Sequence, residues 1–93
     1  MERLEDDYPG DAAWHTYADL YRDEYDDAKA SALAERLGGH DDIAVVIYGK
    51  RGLEEALWWI EQQVPALDGL RPDACLADPT LLKRLRTALM RMP

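Results

Sequence analysis

The chain has 93 residues, of which 47% are hydrophobic and 32% charged, and its formal net charge is −8. These values are typical of one small globular domain, and no apolar run reaches the ~18 residues that a membrane-spanning helix needs. The acidic start lacks the basic leader and apolar stretch of a secretory signal, so we expect a cytoplasmic protein outside membranes. The single cysteine, Cys75, excludes an internal disulfide and is expected in the core.

The negative charge is concentrated at one end of the sequence. Residues 1–28 contain ten carboxylates and two basic residues, whereas residues 29–93 contain equal numbers of acids and bases. After Asp78 every charged residue is basic. Because DNA binding depends on cationic side chains that displace counterions, we do not expect direct DNA binding by the N-terminal half.

Two helices are predicted in the first 40 residues. The first begins after Asp11 and carries an apolar stripe at helical spacing, made of Trp14, Tyr17, Ala18, Tyr21 and Tyr25. This aromatic stripe is expected to lie in the core. The apolar face changes phase near Asp26, so Asp27 is predicted to cap a second helix that Gly38 and Gly39 end.

The segment Ile43–Tyr48 is ambiguous because its residues have strand propensity, yet no second segment offers a pairing partner. We predict a short buried helix capped by Asp41 or Asp42. The alternative is a strand that pairs across a homodimer.

A central helix is predicted from Leu53 to Val64, where apolar residues recur on one face. Trp58 falls among polar residues, away from that face. Either another helix of the domain covers this indole or a partner protein does, since tryptophan is enriched where binding energy concentrates.

The last quarter of the chain is predicted to hold a loop over Pro65–Pro72, a short helix over Pro72–Leu76 and a final helix that starts at Asp78 and Pro79. One face of the final helix is apolar. The other is cationic and is either solvated or a partner surface. Its members are Lys83, Arg84, Arg86, Met90 and Arg91.

No catalytic or metal-binding pattern is evident. The only serine, Ser31, lies within a predicted helix, and His15 and His40 have no partner at zinc-ligand spacing. The stretch 49–52 lacks the spacing of a phosphate loop and is interpreted as a turn between helices. We therefore expect no enzyme activity, no metal and no cofactor.

From Ala56 onward, the sequence resembles the toxin-binding domain of Xre/MbcA/ParS-type antitoxins from bacterial toxin–antitoxin systems. The resemblance covers about residues 42–92 and includes an aliphatic-aromatic-glycine turn at 46–49. It rests on the ordered spacing of Ala56, Trp59, Pro65, Leu67, Gly69, Pro72 and Leu76.

The resemblance implies that these signature residues are mainly architectural. It also implies that the chain neutralises an NAD-consuming toxin of the RES-domain type, with the C-terminal helix approaching the toxin's active-site cleft. Residues 1–40 leave no room for a DNA-reading helix-turn-helix. The predicted partner-binding residues are Trp58, Lys83, Arg84, Arg86, Met90 and Arg91.

The sequence thus predicts one all-α domain over residues 1–93, with about five to six helices and no sheet. Residues 1–40 form acidic N-terminal helices and residues 41–93 form the antitoxin-like region. An alternative function is an acidic inhibitor or adaptor whose residues 1–28 imitate nucleic acid and bind a basic protein groove. A homo-oligomer is a third possibility, with Trp58 and Met90 in its seam.

Overall fold

A computed structural model describes residues 4–92, which form five α-helices, three short 3-10 helices and no strand. The all-α prediction is confirmed. No helix in this range is long and apolar enough to cross a membrane. The α-helices are α1 (Asp11–Tyr25), α2 (Ala28–Arg36), α3 (Asp41–Arg51), α4 (Leu53–Trp59) and α5 (Pro79–Arg91). The 3-10 helices are Leu4–Asp7, Pro65–Leu67 and Pro72–Cys75.

Helix α1 packs on α3 through its aromatic stripe. Trp14 and Ala18 are fully buried, and the stripe's tyrosines are half-buried against the core. Neighbouring rings along α1 lie 5.5 to 6.2 Å apart, and Tyr25 meets Tyr48 of α3 edge-on at 5.5 Å. The expectation that this stripe belongs to the core is confirmed for Trp14 and Ala18, whereas the tyrosines lie at its edge.

Helix α2 begins and ends where the sequence predicts. The Asp27 carboxylate accepts hydrogen bonds from the amides of Lys29 and Ala30, which are otherwise unpaired donors of the first turn. At the other end Gly38 has a φ of 65°, and the Gly39 amide bonds to the Ala34 carbonyl at 2.8 Å. Only glycine adopts such a left-handed conformation without strain, so the pair ends the helix.

The ambiguous segment Ile43–Tyr48 is helical and forms the middle of α3. Six consecutive residues, 42–47, are buried, because α1, α2, α4 and α5 all pack around this helix. A helix enclosed on every side is apolar all round, which removes the periodicity that distinguishes a helix from a strand. The predicted cap is wrong, since Asp41 and Asp42 lie in the first turn and His40 precedes it without a capping side-chain bond.

The turn between α3 and α4 is shorter than predicted. Gly49 and the two basic residues after it belong to α3, and the chain turns at Gly52, which has a φ of 78°. Gly49 is needed for another reason: a Cβ there would lie 2.9 Å from Cδ2 of Tyr25 and closer still to the ring of Tyr21. The aromatic stripe therefore packs directly on the backbone of α3.

Helix α4 ends at Trp59, five residues before the predicted end at Val64, and it is α3 that occupies the centre of the domain. Val64 is disfavoured in helical conformation because it precedes Pro65. Val64 is extended and forms an isolated antiparallel bridge with Leu70. Asp78 caps α5 as predicted, accepting from the amides of Thr80 and Leu81.

Candidate protein interface

The family-signature residues lie together beside α4. Ala56, Trp59, Leu67 and Pro72 are buried, and Leu76 is half-buried against the same core. The remaining two, Pro65 and Gly69, are exposed and shape the loop, in which Gly69 has a φ of 81°.

Backbone hydrogen bonds join this loop to α4 and to the 3-10 helix that follows. The Asp73 amide donates to the Ile60 carbonyl at 3.1 Å, and the Val64 amide donates to the Leu70 carbonyl at 3.0 Å. The guanidinium of Arg51 lies over the Trp59 ring, with its Cζ atom 4.9 Å from the ring centroid, and covers that face of the indole. The burial and bonding are those that an architectural role requires.

Trp58, the neighbour of the buried Trp59, points to solvent with 59% of its surface exposed. The interpretation that another helix of the domain covers this indole is therefore wrong for residues 4–92. Its backbone is held in place, since Gln62 Nε2 donates to the Trp58 carbonyl at 3.1 Å. An exposed aromatic ring is thus presented on a fixed helix.

An open groove of about 630 Å³ lies between the start of α2 and α4. Its lining mixes apolar and charged side chains of Lys29, Arg51, Leu53, Glu54, Glu55 and Leu57. Trp58 follows Leu57 directly in the sequence. The groove therefore adds partly apolar surface next to the turn that carries the exposed indole.

The cationic face of α5 (Lys83, Arg84, Arg86, Met90 and Arg91) is only partly exposed. Arg84 was expected on the surface but is 8% exposed. Its Nε and Nη2 atoms donate to the two carboxylate oxygens of Glu5, each at 2.8 Å. Its Nη1 atom lies 3.2 Å from an Asp68 oxygen. The expectation of an exposed Arg84 is wrong because an acidic segment from the front of the chain folds over it.

Arg86 is also engaged within the chain. Its side chain is 13% exposed and lies 3.3 Å from carboxylate oxygens of both Asp11 and Asp42. It also donates to the Tyr8 hydroxyl at 3.1 Å and lies over the Trp14 ring. The expectation that this cation faces solvent is wrong for the same reason as for Arg84.

The other three members of the face differ from one another. Lys83 is exposed, and its side chain makes no hydrogen bond or ion pair among residues 4–92, although its carbonyl accepts from the Thr87 hydroxyl at 2.8 Å. Arg91 is exposed but pairs with Asp7 at 2.8 Å, and Met90 is half-buried against the core. Of the predicted contact residues, the structure thus leaves Trp58 and Lys83 most accessible.

We call residues 4–8 the acidic strap, because they cross α5 and pair with its arginines. The Glu5 side chain is only 7% exposed, Asp6 and Asp7 are exposed, and Tyr8 is half-buried against the core, so the strap is held by one shielded ion pair, exposed charges and the Tyr8 ring. The hydrogen bonds that Arg84 donates to Glu5 raise the pKa of Arg84, and the hydrogen bond that Tyr8 donates is the main cause of a lowered pKa at Asp11. These contacts escaped sequence reasoning because strap and helix are nearly 80 residues apart, although opposite charge at the two ends of the sequence is a signal for them.

The carboxylates near the start of the chain fall into two groups, those that face arginines of α5 and those that are exposed. Glu5, Asp7 and Asp11 face arginines of α5. The other carboxylates from α1 to the start of α2 are exposed: Asp19, Asp23, Glu24, Asp26 and Asp27. The acidic surface available to a basic groove is accordingly smaller than the sequence indicates.

Two kinds of group could carry chemistry in residues 4–92, namely the Cys75 thiol and clusters of metal-binding side chains. The Cys75 thiol is buried, which raises its pKa, and it donates to the Arg71 carbonyl at 3.4 Å. Cys75 is thus a core residue, as expected. Within residues 4–92, no group of three or more His, Cys, Asp or Glu side chains is arranged to hold a metal.

Comparisons with known proteins identified no relative of this chain. No protein-family model, curated protein or solved structure matches this chain. The functional interpretation therefore rests on the residues and geometry described above.

Proposed function

We propose that this chain is a non-catalytic protein-binding module that sequesters and neutralises a toxin, in the manner of the Xre/MbcA/ParS-type antitoxins that its sequence resembles. The toxin class is the RES-domain type, which consumes NAD. The signature residues support this proposal by their position, since they join α4, the loop and the following 3-10 helix into one unit.

The observation that carries the proposal is the exposed indole of Trp58. Tryptophan buries a large area on association, and most of the binding energy of an interface comes from a few such residues. An indole with 59% of its surface in water next to a buried, stacked Trp59 is placed to bind a partner at little entropic cost. Lys83 on α5 is available to contribute charge.

The acidic-inhibitor alternative has less support from the geometry. Among the described carboxylates of residues 4–28, four lie against the chain's own arginines, so they are not available to imitate a phosphate backbone without being released first: Glu5, Asp7, Asp11 and Asp19. The exposed acids of α1 remain available, and their partner would be a basic groove.

The test is to co-express the tagged chain with the protein encoded by the adjacent gene and with a RES-domain toxin, and to measure copurification, protection from growth arrest and the Kd of each purified pair. The Trp58→Ala variant is compared with Leu20→Ala, because Leu20 is the other large exposed hydrophobic residue, at 67%. We expect Trp58→Ala to weaken the complex by ~2 kcal/mol, about 30-fold in Kd, and Leu20→Ala to change it far less.

Two results would contradict the proposal. One is that the wild-type chain neither copurifies with the toxin nor protects cells from it. The other is that both variants weaken the complex equally, which would place Trp58 outside the interface. Circular dichroism of each variant checks that the helices are retained.

A further inference from the structure

The acidic strap covers part of the cationic face of α5, and its side chains show which chemical groups this face binds. Arg84 holds a carboxylate through two parallel hydrogen bonds, the geometry in which a guanidinium recognises a carboxylate best. Arg86, farther around the helix, donates a hydrogen bond to the Tyr8 phenol, and Arg91 donates one to the Asp7 carboxylate. The three arginines together bind an acidic segment that contains an aromatic residue.

The acidic strap is also built so that it can leave this face without unfolding the domain. Only the Glu5 side chain is shielded, at 7% exposure, while Asp6 and Asp7 are exposed, and the strap is joined to α1 through Pro9 and Gly10. Gly10 has a φ of 106°, and glycine allows more backbone conformations at this junction than another residue would. Helix α1 stays in place, because its own contacts are with α3.

We propose that the acidic strap is an internal competitor that masks a binding surface for an acidic peptide segment of a partner protein. This inference rests on the proposed protein-binding function and deepens it by giving the chemistry of the partner's segment. The partner's segment replaces Glu5 on Arg84 and Asp7 on Arg91. Binding therefore requires release of the strap, and the observed affinity is the intrinsic affinity reduced by the fraction of molecules in which the strap is open.

The charge pattern favours an acidic peptide over nucleic acid as the occupant. Asp42 and Asp68 remain beside Arg86 and Arg84 when the strap leaves, and they would repel a continuous phosphate backbone. A peptide can place its acids selectively, as the strap does.

The experiment uses the full chain and a fluorescent synthetic peptide that reproduces residues 4–11, measured by fluorescence anisotropy. The strap is loosened by the double variant Glu5→Gln/Asp7→Asn. The matched control, Asp23→Asn/Glu24→Gln, removes the same number of charges from the exposed surface of α1, where neither side chain has a hydrogen-bond or ion-pair partner among residues 4–92. We expect the loosened variant to bind the peptide at least tenfold more tightly than the wild type and the control do.

Three further measurements locate the binding site and identify its ligand: an Arg84 variant, a salt series and alternative ligands. Adding Arg84→Gln to the loosened variant is expected to abolish the gain, and raising the salt concentration is expected to weaken binding. The inference is overturned if the wild type binds as tightly as the loosened variant, or if neither binds. It is also overturned if a scrambled peptide or a single-stranded oligonucleotide binds equally well.

The result is separable from the proposed function. Peptide binding needs no toxin, so a failed peptide experiment does not contradict copurification with a toxin through Trp58. Conversely, peptide binding without copurification would show the masked surface while contradicting the toxin as partner. Circular dichroism confirms that the loosened variant is folded.

Discussion

Two interfaces of this domain are held together by different forces. Between α1 and α3, a buried Trp14, a fully buried Ala18 and a row of tyrosines pack directly on the α3 backbone at Gly49. Between the acidic strap and α5, the contacts are ion pairs and hydrogen bonds from residues that are not fully buried. The first interface depends on shape and apolar area, whereas the second depends on charge.

This difference predicts which part of the molecule can move. Apolar packing responds steeply to lost volume and little to salt, so the α1–α3 interface should open only with global unfolding. Exposed ion pairs such as Asp7–Arg91 contribute little net stability and are screened by salt, whereas the shielded Glu5–Arg84 pair must be broken for the strap to open. We expect the strap to open before the α1–α3 interface does. The buried Asp42 joins the two interfaces, since it accepts from Trp14 at 2.8 Å and pairs with Arg86.

The largest effect is expected from Trp14→Ala. Trp14 is fully buried, and truncating a buried aromatic residue typically costs ~3–5 kcal/mol in the free energy of unfolding. The matched control is Trp58→Ala, which removes the same side chain from an exposed position and should cost under about 0.5 kcal/mol. Urea unfolding measures both. Similar losses for the two variants would mean that Trp14 does not carry the packed interface.

A smaller loss is expected from Gly49→Ala. The new methyl group would meet the rings of Tyr21 and Tyr25, and overpacking of this kind costs ~1–3 kcal/mol. Because alanine is the better helix former by ~1 kcal/mol, the substitution should cost less in a Tyr21→Ala background, where the closest ring is gone and the contact with Tyr25 remains. An equal cost of Gly49→Ala in both backgrounds, measured by thermal or urea unfolding, would contradict direct packing.

The smallest effect, about 1 kcal/mol, is expected from Asp42→Asn, because asparagine keeps an acceptor for Trp14 but loses the charge facing Arg86. Burial acts to raise the pKa of Asp42, but hydrogen bonds from Trp14 and the Ile43 amide, together with Arg86, hold the pKa below its ordinary value. A lowered pKa gives stability that is present above the ordinary value of about 4 and is lost as the pH falls through the folded-state pKa.

Urea unfolding at a series of pH values from about 6 down to about 3 tests this coupling. The wild type should lose more stability on acidification than Asp42→Asn does, and the exposed substitution Asp23→Asn should follow the wild type. Identical pH profiles for the wild type and Asp42→Asn would show that Asp42 does not link the two interfaces.

Local signals in the sequence were sufficient for much of the fold. The Asp27 and Asp78 caps, the Gly38–Gly39 stop and the Trp14 stripe were all predicted correctly, because each acts within one or two helical turns. The length of α4 and the position of the central helix were predicted wrongly. Both depend on what packs around α3 and on the turn before Pro65, which apolar periodicity does not report.

The candidate interface was predicted only in part. Trp58 was identified because an indole among polar residues breaks the pattern of its own helix, and this exposure is confirmed. Arg84 and Arg86 were assigned to an exposed face because helical spacing shows which side of α5 a residue is on. Spacing within one helix gives no information about a distant segment that covers that side.

The sequence by itself determined the all-α class, most helix boundaries and the separation of an acidic front from a basic end, since these follow from local hydrogen bonding, apolar spacing and composition. Only the tertiary structure decided that α3 is the enclosed helix and that Glu5 lies on Arg84 while Trp58 remains in solvent. The reason is that such contacts depend on how the helices are arranged in space, and ion pairs between opposite ends of a chain form only after the packed core has brought those ends together.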